Sequence, residues 1–107
     1  MKKTTPKVSL SRSDRSRIKK LGPAWQLDEK GKRLTATFDF PNYLDAFMFV
    51  TRVSVHAEVL QHHPELHLTH GQVKVILTTT EVKAVTSLDI DLAERIMNIL
   101  STATRRR

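Results

Sequence analysis

Apolar residues recur along this chain either at every second position, as in a strand, or at every third or fourth position, as in a helix. The places where one spacing gives way to the other mark the ends of the predicted elements. A basic segment over residues 9–21 predicts a short helix that ends at Gly22. Trp25 and Leu27 then alternate with polar residues, and after a glycine-containing turn the alternation resumes over residues 34–40. Two such strands joined by a short turn predict a β-hairpin.

A long helix is predicted from Pro41-Asn42 to about Leu60, because apolar residues recur there at intervals of three or four. The predicted core-facing stripe consists of Ala46, Phe49, Val50, Val53, Ala57 and Leu60. A second apolar stripe on another side of the helix consists of Leu44, Phe47, Met48 and Val55. A helix that is apolar on two sides is either enclosed in its own fold or carries a subunit interface. In so short a chain we favour the interface.

The second half of the chain repeats the pattern of two strands followed by a helix. Pro64 introduces an extended segment over residues 66–70, and the β-branched run over 73–80 is the clearest strand of the sequence. The last helix is predicted over residues 87–102, with Leu92, Ala93, Ile96, Met97 and Leu100 facing inward. The order α-β-β-α-β-β-α, with short turns inside each strand pair, predicts an α+β fold. We expect a four-stranded antiparallel sheet with the helices packed on one face.

The length of 107 residues fits one domain, which we place at residues 9–102 between basic tails at 1–8 and 103–107. The chain has no cysteine, which excludes disulfides, thiol catalysis and cysteine-rich zinc sites. No apolar run approaches the ~18 residues that span a bilayer, and no signal-peptide core is recognisable. We therefore expect a soluble, cytoplasmic protein.

The formal net charge of +7 comes from the ends of the chain. Residues 1–20 hold eight lysines and arginines against one acid, and the last three residues are all arginine. Residues 21–104 hold seven basic and ten acidic residues, so the domain itself is slightly acidic. Basic ends can contact an acidic protein, RNA or a membrane surface, but such ends are mostly solvated. Nucleic-acid binding ranks last, because the sequence shows no exposed aromatic platform.

Four of the five histidines fall within nine residues: His62, His63, His67 and His70. Glu58 lies one helical turn before His62. The ordinary pKa of histidine, about 6.5, suits proton transfer near neutrality. A metal site needs three or four ligands that converge on one point, whereas His67 and His70 would point to opposite faces of a strand. We expect no metal site here.

The local pattern Glu58-x3-His62-His63-Pro64-Glu65, followed by a strand ending Thr78-Thr79 and a helix opening at Asp89, resembles the pterin-4a-carbinolamine dehydratases. The resemblance extends over nearly the whole chain from Ser9 to Ile99. It implies an α+β fold that forms homodimers, often paired into homotetramers. It also implies a reaction without metal or cofactor on 4a-hydroxytetrahydropterin, a by-product of aromatic amino acid hydroxylases.

The chemistry of the family is elimination of water across a carbon–nitrogen bond of the pterin, for which three histidines share the proton transfers. The resemblance assigns two of these histidines to His62 and His63, with His63 as the principal acid and base. Glu58 matches the leading acid of the motif and Asp89 the closing one, which would contact the substrate. Thr86-x-x-Asp89 also resembles a capping box, so a structural role for Asp89 stands equally.

The sequence departs from the family at the pterin site. The position of the third histidine is Thr80, and a hydroxyl cannot carry protons as imidazole does at neutral pH. The aromatic residue expected after the histidine motif is Leu66, and a later aromatic residue is His70. Lys83-Ala84 replaces the usual glycine pair. If the site is active, Thr80 and His70 would line the substrate beside Asp89.

Two functions follow as hypotheses. The first is a non-catalytic factor that binds a protein, because some members of the family are dimerisation cofactors for transcription factors. Divergent bacterial members resemble assembly factors for RuBisCO in α-carboxysome systems, and RuBisCO assembly is the specific hypothesis. The alternative is an active 4a-hydroxytetrahydropterin dehydratase, a carbon–oxygen lyase that uses His62, His63 and Glu58 in a site without the third histidine. A bound pterin is compatible with both.

Overall fold

The computed structural model describes residues 10–105, with side chains for residues 10–102, and places seven elements in this range. In chain order they are α1 (Arg12–Lys20), β1 (Trp25–Leu27), β2 (Leu34–Asp39), α2 (Tyr43–Leu60), β3 (Glu65–Thr69), β4 (Gln72–Leu77) and α3 (Ser87–Arg105). The predicted α+β fold is confirmed. Residues 1–9 and 106–107, which hold most of the two predicted basic tails, lie outside the described residues. No helix of residues 10–105 is long and apolar enough to cross a membrane.

The four strands form one antiparallel sheet in the order β1-β2-β4-β3. Both predicted strand pairs are present, and the two hairpins join through β2 and β4, where Leu34 pairs with Leu77 and Phe38 with Val73. With the exception of Ile76, which pairs with Thr35 and Glu65 on the other face, this register brings the apolar residues of the four strands to one face, because side chains alternate along a strand. That face is packed beneath the helices, and it forms the core together with α2 and α3.

Helix α2 follows the predicted pattern closely. The side chain of Asn42 caps its first turn by accepting a hydrogen bond from the backbone N–H of Asp45 at 2.8 Å. The buried residues of the helix are Ala46, Phe49, Val53 and Ala57, all from the predicted core stripe. Phe49 contacts Phe38 and Phe40 with ring centroids 5.6 and 5.0 Å apart, which fixes α2 over the centre of the sheet.

Two strand ends differ from the prediction. Strand β4 ends at Leu77 rather than Thr80, because the chain folds back after Thr79 and pairs it with Ala84. Strand β3 runs from Glu65 to Thr69, so His70 lies in the turn before β4 and not in the strand. Gly71 makes this turn possible, because its φ of +73° is one that residues with a side chain rarely adopt. A Cβ atom at this position would also lie 3.1 Å from the backbone oxygen of Phe40, the residue after β2.

Helix α1 is fixed to α3 by one arginine. Ser11 and Asp14 form a reciprocal capping box that starts α1. One turn later, Arg17 donates to Glu94 at 2.7 and 3.0 Å and to Asp91 at 2.6 Å. These hydrogen bonds raise the pKa of Arg17, and the bonds to Glu94 contribute more than the bond to Asp91. The bond from Arg17 likewise lowers the pKa of Glu94.

Replacement of Arg17 should loosen this contact in a pH-dependent way. We expect Arg17→Ala to lower the free energy of unfolding by about 1 kcal/mol near neutral pH, since the partly exposed carboxylates are screened by solvent. The lowered pKa of Glu94 means that its contribution is present above the unfolded pKa and is lost as pH falls through the folded pKa. The difference between wild type and Arg17→Ala in urea unfolding should therefore shrink between about pH 7 and about pH 3. Arg15→Ala, at an exposed position of α1, is the control, and a difference independent of pH would contradict this account.

Candidate functional site

The two adjacent histidines lie at the corner between α2 and β3, and the way α2 ends directs them apart. Gln61 adopts a left-handed conformation with φ 51° and ψ 44°. The backbone N–H of His62 donates to Ala57 and that of Gln61 to Glu58, which is the hydrogen-bond pattern of a Schellman motif. The chain therefore reverses within one residue, and His62 turns inward while His63 turns to solvent.

His62 is buried and bonded to a buried carboxylate. Its Nε2 lies 2.5 Å from Oδ1 of Asp89, and both side chains are almost completely removed from solvent. Asp89 belongs to the first turn of α3, where the partial positive charge of the helix terminus favours a carboxylate. The predicted site residues His62 and Asp89 are thus brought together, inside the protein.

Asp89 also holds two threonines that flank the loop between β4 and α3. Its Oδ2 accepts from the Thr79 hydroxyl at 2.8 Å and from the Thr86 backbone N–H at 2.9 Å. Since the one hydroxyl proton of Thr79 goes to Asp89, the 2.7 Å contact between the two hydroxyls must be donated by Thr86. Thr86 in turn accepts from the Leu88 N–H at 3.3 Å, so it caps α3 as the sequence suggested. We call His62, Thr79, Thr86 and Asp89 the buried Asp89 cluster.

His63 forms a second, separate pair at the surface. Its Nε2 contacts the carboxylate of Glu58, which lies one turn back on α2. More than half of each side chain is exposed to solvent. The pair of imidazole and carboxylate is chemically able to exchange a proton with a bound molecule, and it joins two of the predicted catalytic residues.

The other predicted site residues lie elsewhere. Thr80 is exposed in the loop after β4, where its hydroxyl contacts Glu81 at 3.4 Å. It lines a shallow cleft of about 320 Å³ with Lys32, Arg33, Thr78 and Lys83. His70 lies in the β3–β4 turn, at the opposite end of the five-residue strand β3 from His63. A strand of this length separates its two ends by roughly 15 Å.

Leu66 and His67 complete the histidine-rich segment. Leu66 faces inward from β3, pairs in register with Val75 and packs against the core. His67 faces the open side of the sheet and contacts Glu65 at 2.5 Å. Within residues 10–102, no group of three or more histidine, cysteine, aspartate or glutamate side chains is arranged to hold a metal ion.

Sequence reasoning missed one member of the buried cluster, Thr79. A signal was present, because Thr79 continues the inward-facing alternation of Val73, Val75 and Leu77, and a buried hydroxyl needs a partner. It also missed a group of cationic side chains between α2 and α3. That group brings His56 of α2 next to Arg95 of α3, which is 39 positions later in the chain, so no local sequence pattern indicates it.

Comparison with known proteins agrees with the histidine motif and the fold. The sequence profile described as pterin 4 alpha carbinolamine dehydratase matches residues 8–99. The chain belongs to this family. A protein of Thermosynechococcus vestitus named "Putative pterin-4-alpha-carbinolamine dehydratase" is 42% identical over 77 residues, which cover 72% of this chain and 79% of the relative. A protein of the same name from Rhodopseudomonas palustris is 40% identical over 79 residues, which cover 74% and 77%.

Two solved structures share the fold of this family member. The crystal structure of a transcriptional coactivator/pterin dehydratase from Brucella melitensis matches with a TM-score of 0.74 and 31% identity, over 84% of this chain and 96% of the other. A pterin dehydratase-like protein identified as a RuBisCO assembly factor in the alpha-carboxysome matches with a TM-score of 0.61 over 73% and 90%. Its identity of 18% shows a common fold alone.

Proposed function

We propose that this chain is a non-catalytic member of the pterin dehydratase family that acts by binding a protein. The observation that carries the proposal is the residue found at the position where the resemblance implies a third histidine. Thr80 stands there, exposed, with its hydroxyl towards Glu81 and with lysine and arginine side chains around it. A threonine hydroxyl cannot replace imidazole as a general acid or base at neutral pH, and loss of one general acid or base costs a factor of about 10²–10⁴ in rate.

The neighbouring residues support the same proposal. Nε2 of His62 is engaged by Asp89 within the core, so this nitrogen is not offered to a ligand. Leu66, at the position of an expected aromatic wall, packs into the core of the domain. His63 with Glu58 is then the exposed acid–base pair of the motif. This pair offers one imidazole to a substrate, whereas the resemblance implies three.

The binding surface that we propose is the outer face of α2. Six large apolar side chains there are between 47% and 66% exposed: Tyr43, Leu44, Phe47, Met48, Val55 and Val59. They include all four residues that the sequence suggested as an interface. Several large exposed apolar side chains on one helix are typical of protein interaction sites, and burying each of them contributes about 1–2 kcal/mol. We propose that the first occupant is a second copy of this chain, giving a homodimer.

A charge placed on this face should separate the subunits. We expect Met48→Glu to shift the protein from dimer to monomer in sedimentation velocity, because a buried carboxylate without a partner is strongly unfavourable in an apolar interface. The fold should survive, since Met48 is about half exposed in the single chain. Thr37→Glu is the control: it lies on the open face of the sheet opposite Lys74, where a carboxylate is tolerated. A dimer that persists in Met48→Glu would contradict this interface.

The specific partner that we propose is RuBisCO, during its assembly in the α-carboxysome. The support is the shared fold with the RuBisCO assembly factor, together with the loss of the third histidine. The test is refolding of purified α-carboxysomal RuBisCO subunits with and without this protein. A rise in assembled enzyme with wild type that is absent with Met48→Glu would support the proposal. Equal yields with wild type, Met48→Glu and no addition would exclude RuBisCO as the partner.

The second candidate function is a working dehydratase, and the contact between His63 and Glu58 favours it. In that case the pair would transfer the protons of the elimination alone, with the exposed imidazole as the principal acid and base. Loss of activity in His63→Ala distinguishes this function from protein binding, which does not depend on that ring.

A further inference from the structure

A cleft between α2 and α3 is lined by cationic and hydrogen-bonding side chains that the proposed function does not use. Its lining residues are Arg52, His56, Arg95, Asn98, Ile99 and Thr102, and its volume is about 470 Å³. We name it the α2–α3 cleft. Arg52 and His56 are one turn apart on α2, and the other four residues follow one face of α3. All six therefore stand on two packed helices, which hold their backbones rigidly.

One hydrogen bond fixes the donors inside this cleft. A guanidinium nitrogen of Arg95, Nη1, lies 3.2 Å from Nδ1 of His56. Because a guanidinium can only donate, Nδ1 of His56 accepts, and the ring proton is then on Nε2. The cleft thus presents the two guanidinium groups, the Nε2–H of His56, the amide of Asn98 and the hydroxyl of Thr102.

Neither arginine of the cleft forms an ion pair within the described part of the chain, although Asp91 and Glu94 line a neighbouring cavity with Arg95. No carboxylate of residues 10–102 lies within ion-pair distance of Arg52 or Arg95. The carboxylates of α3 that could reach Arg95 are Asp91, one turn before it, and the adjacent Glu94. Arg17 of α1 holds both of them, at 2.6 and 2.7 Å. The contact between α1 and α3 therefore leaves Arg95 available to an external anion.

We infer that the α2–α3 cleft binds a phosphate monoester of a small organic molecule. A phosphate dianion matches the two guanidinium charges, and its oxygens can accept from several donors at once, whereas a carboxylate has only two oxygens. The volume is in the range of small-molecule sites and exceeds what an inorganic ion needs. Ile99 supplies an apolar wall for the organic part.

Phenyl phosphate is a suitable probe, titrated into ¹⁵N-labelled protein at about pH 7.5, where the phosphate is a dianion. We expect saturable shifts that centre on the cleft residues and include the ring nitrogens of His56. Phenol should give no such shifts, and inorganic phosphate should bind more weakly because it lacks the apolar contact. Equal binding of inorganic phosphate would assign the site to the free ion rather than to an ester, and would overturn the monoester assignment.

Matched arginine variants separate a built site from general attraction to a basic protein. Arg52→Ala and Arg95→Ala should each weaken phenyl phosphate binding by roughly tenfold or more, since each removes a charge-assisted contact. Arg15→Ala removes the same charge from an exposed position of α1 and should change binding less than twofold. Thermal unfolding checks that each variant is folded, and Arg52, which is exposed, gives a reading even if Arg95→Ala is unstable. No saturable binding to wild type, or equal losses in all three variants, would overturn the inference.

Discussion

Asp89→Ala is expected to lower the free energy of unfolding by about 3–5 kcal/mol, a large part of the stability of a domain of this size. The carboxylate is completely buried and receives hydrogen bonds from His62, Thr79 and the backbone of Thr86. Alanine leaves these three groups buried without their acceptor, and each unsatisfied group costs about 1–3 kcal/mol. It also removes the carboxylate through which the end of α2, the loop after β4 and the start of α3 are hydrogen-bonded to one another.

Urea unfolding at neutral pH measures this effect. Asp89→Asn keeps the shape and one acceptor oxygen, so we expect a smaller loss of about 1–2 kcal/mol, which is measurable if the alanine variant does not fold. Asp39→Ala is the matched control: Asp39 is exposed, with one 3.2 Å bond from Gln72, and should lose less than about 0.5 kcal/mol. Stability of Asp89→Ala within about 1 kcal/mol of wild type would show that the buried cluster does not hold the fold.

The second large effect concerns the dehydratase reaction. We expect the wild-type chain to convert 4a-hydroxytetrahydropterin at least about 10²–10⁴-fold more slowly than a family member that has all three histidines. The reason is that the family resemblance assigns the third histidine to the position of Thr80 and an aromatic wall to that of Leu66, so a proton carrier and a stacking surface would be missing together.

Thr80→His tests whether this single position is responsible. We expect the variant to remain near the uncatalysed rate, because Leu66 packs into the core and the cleft beside Thr80 is lined by Lys32, Arg33 and Lys83. Thr37→His, at an exposed position on the open face of the sheet, is the control for an added surface histidine. Activity that appears in Thr80→His alone would show an intact pterin pocket that one residue has disabled.

The elements of this fold could be predicted from sequence because each depends on local periodicity. Helix α2 shows this best, since its core stripe and its exposed apolar face both follow from the spacing of residues within 18 positions. The order of the strands could not be predicted in the same way. The pairing of β2 with β4 joins residues 34–39 to 72–77, and only the complete register shows that their apolar faces coincide.

The candidate site was predictable as a set of residues but not as an arrangement. His62 and His63 are adjacent in sequence, and adjacency suggested a shared role. The left-handed conformation of Gln61 separates them, and a non-glycine residue in that conformation carries no clear sequence signal. The end of β4 at Leu77 was missed for a related reason, because the pairing of Thr79 with Ala84 depends on a tight turn that includes Lys83 at φ 54°.

The most direct test of the proposed function is the rate of dehydration of freshly generated 4a-hydroxytetrahydropterin by wild type and by His63→Ala. His63 is exposed, and within residues 10–102 its ring contacts the exposed carboxylate of Glu58, so its replacement should leave the fold intact. If the protein is non-catalytic, both proteins will match the uncatalysed rate. A robust wild-type rate that collapses in His63→Ala would contradict the proposal and establish a working dehydratase.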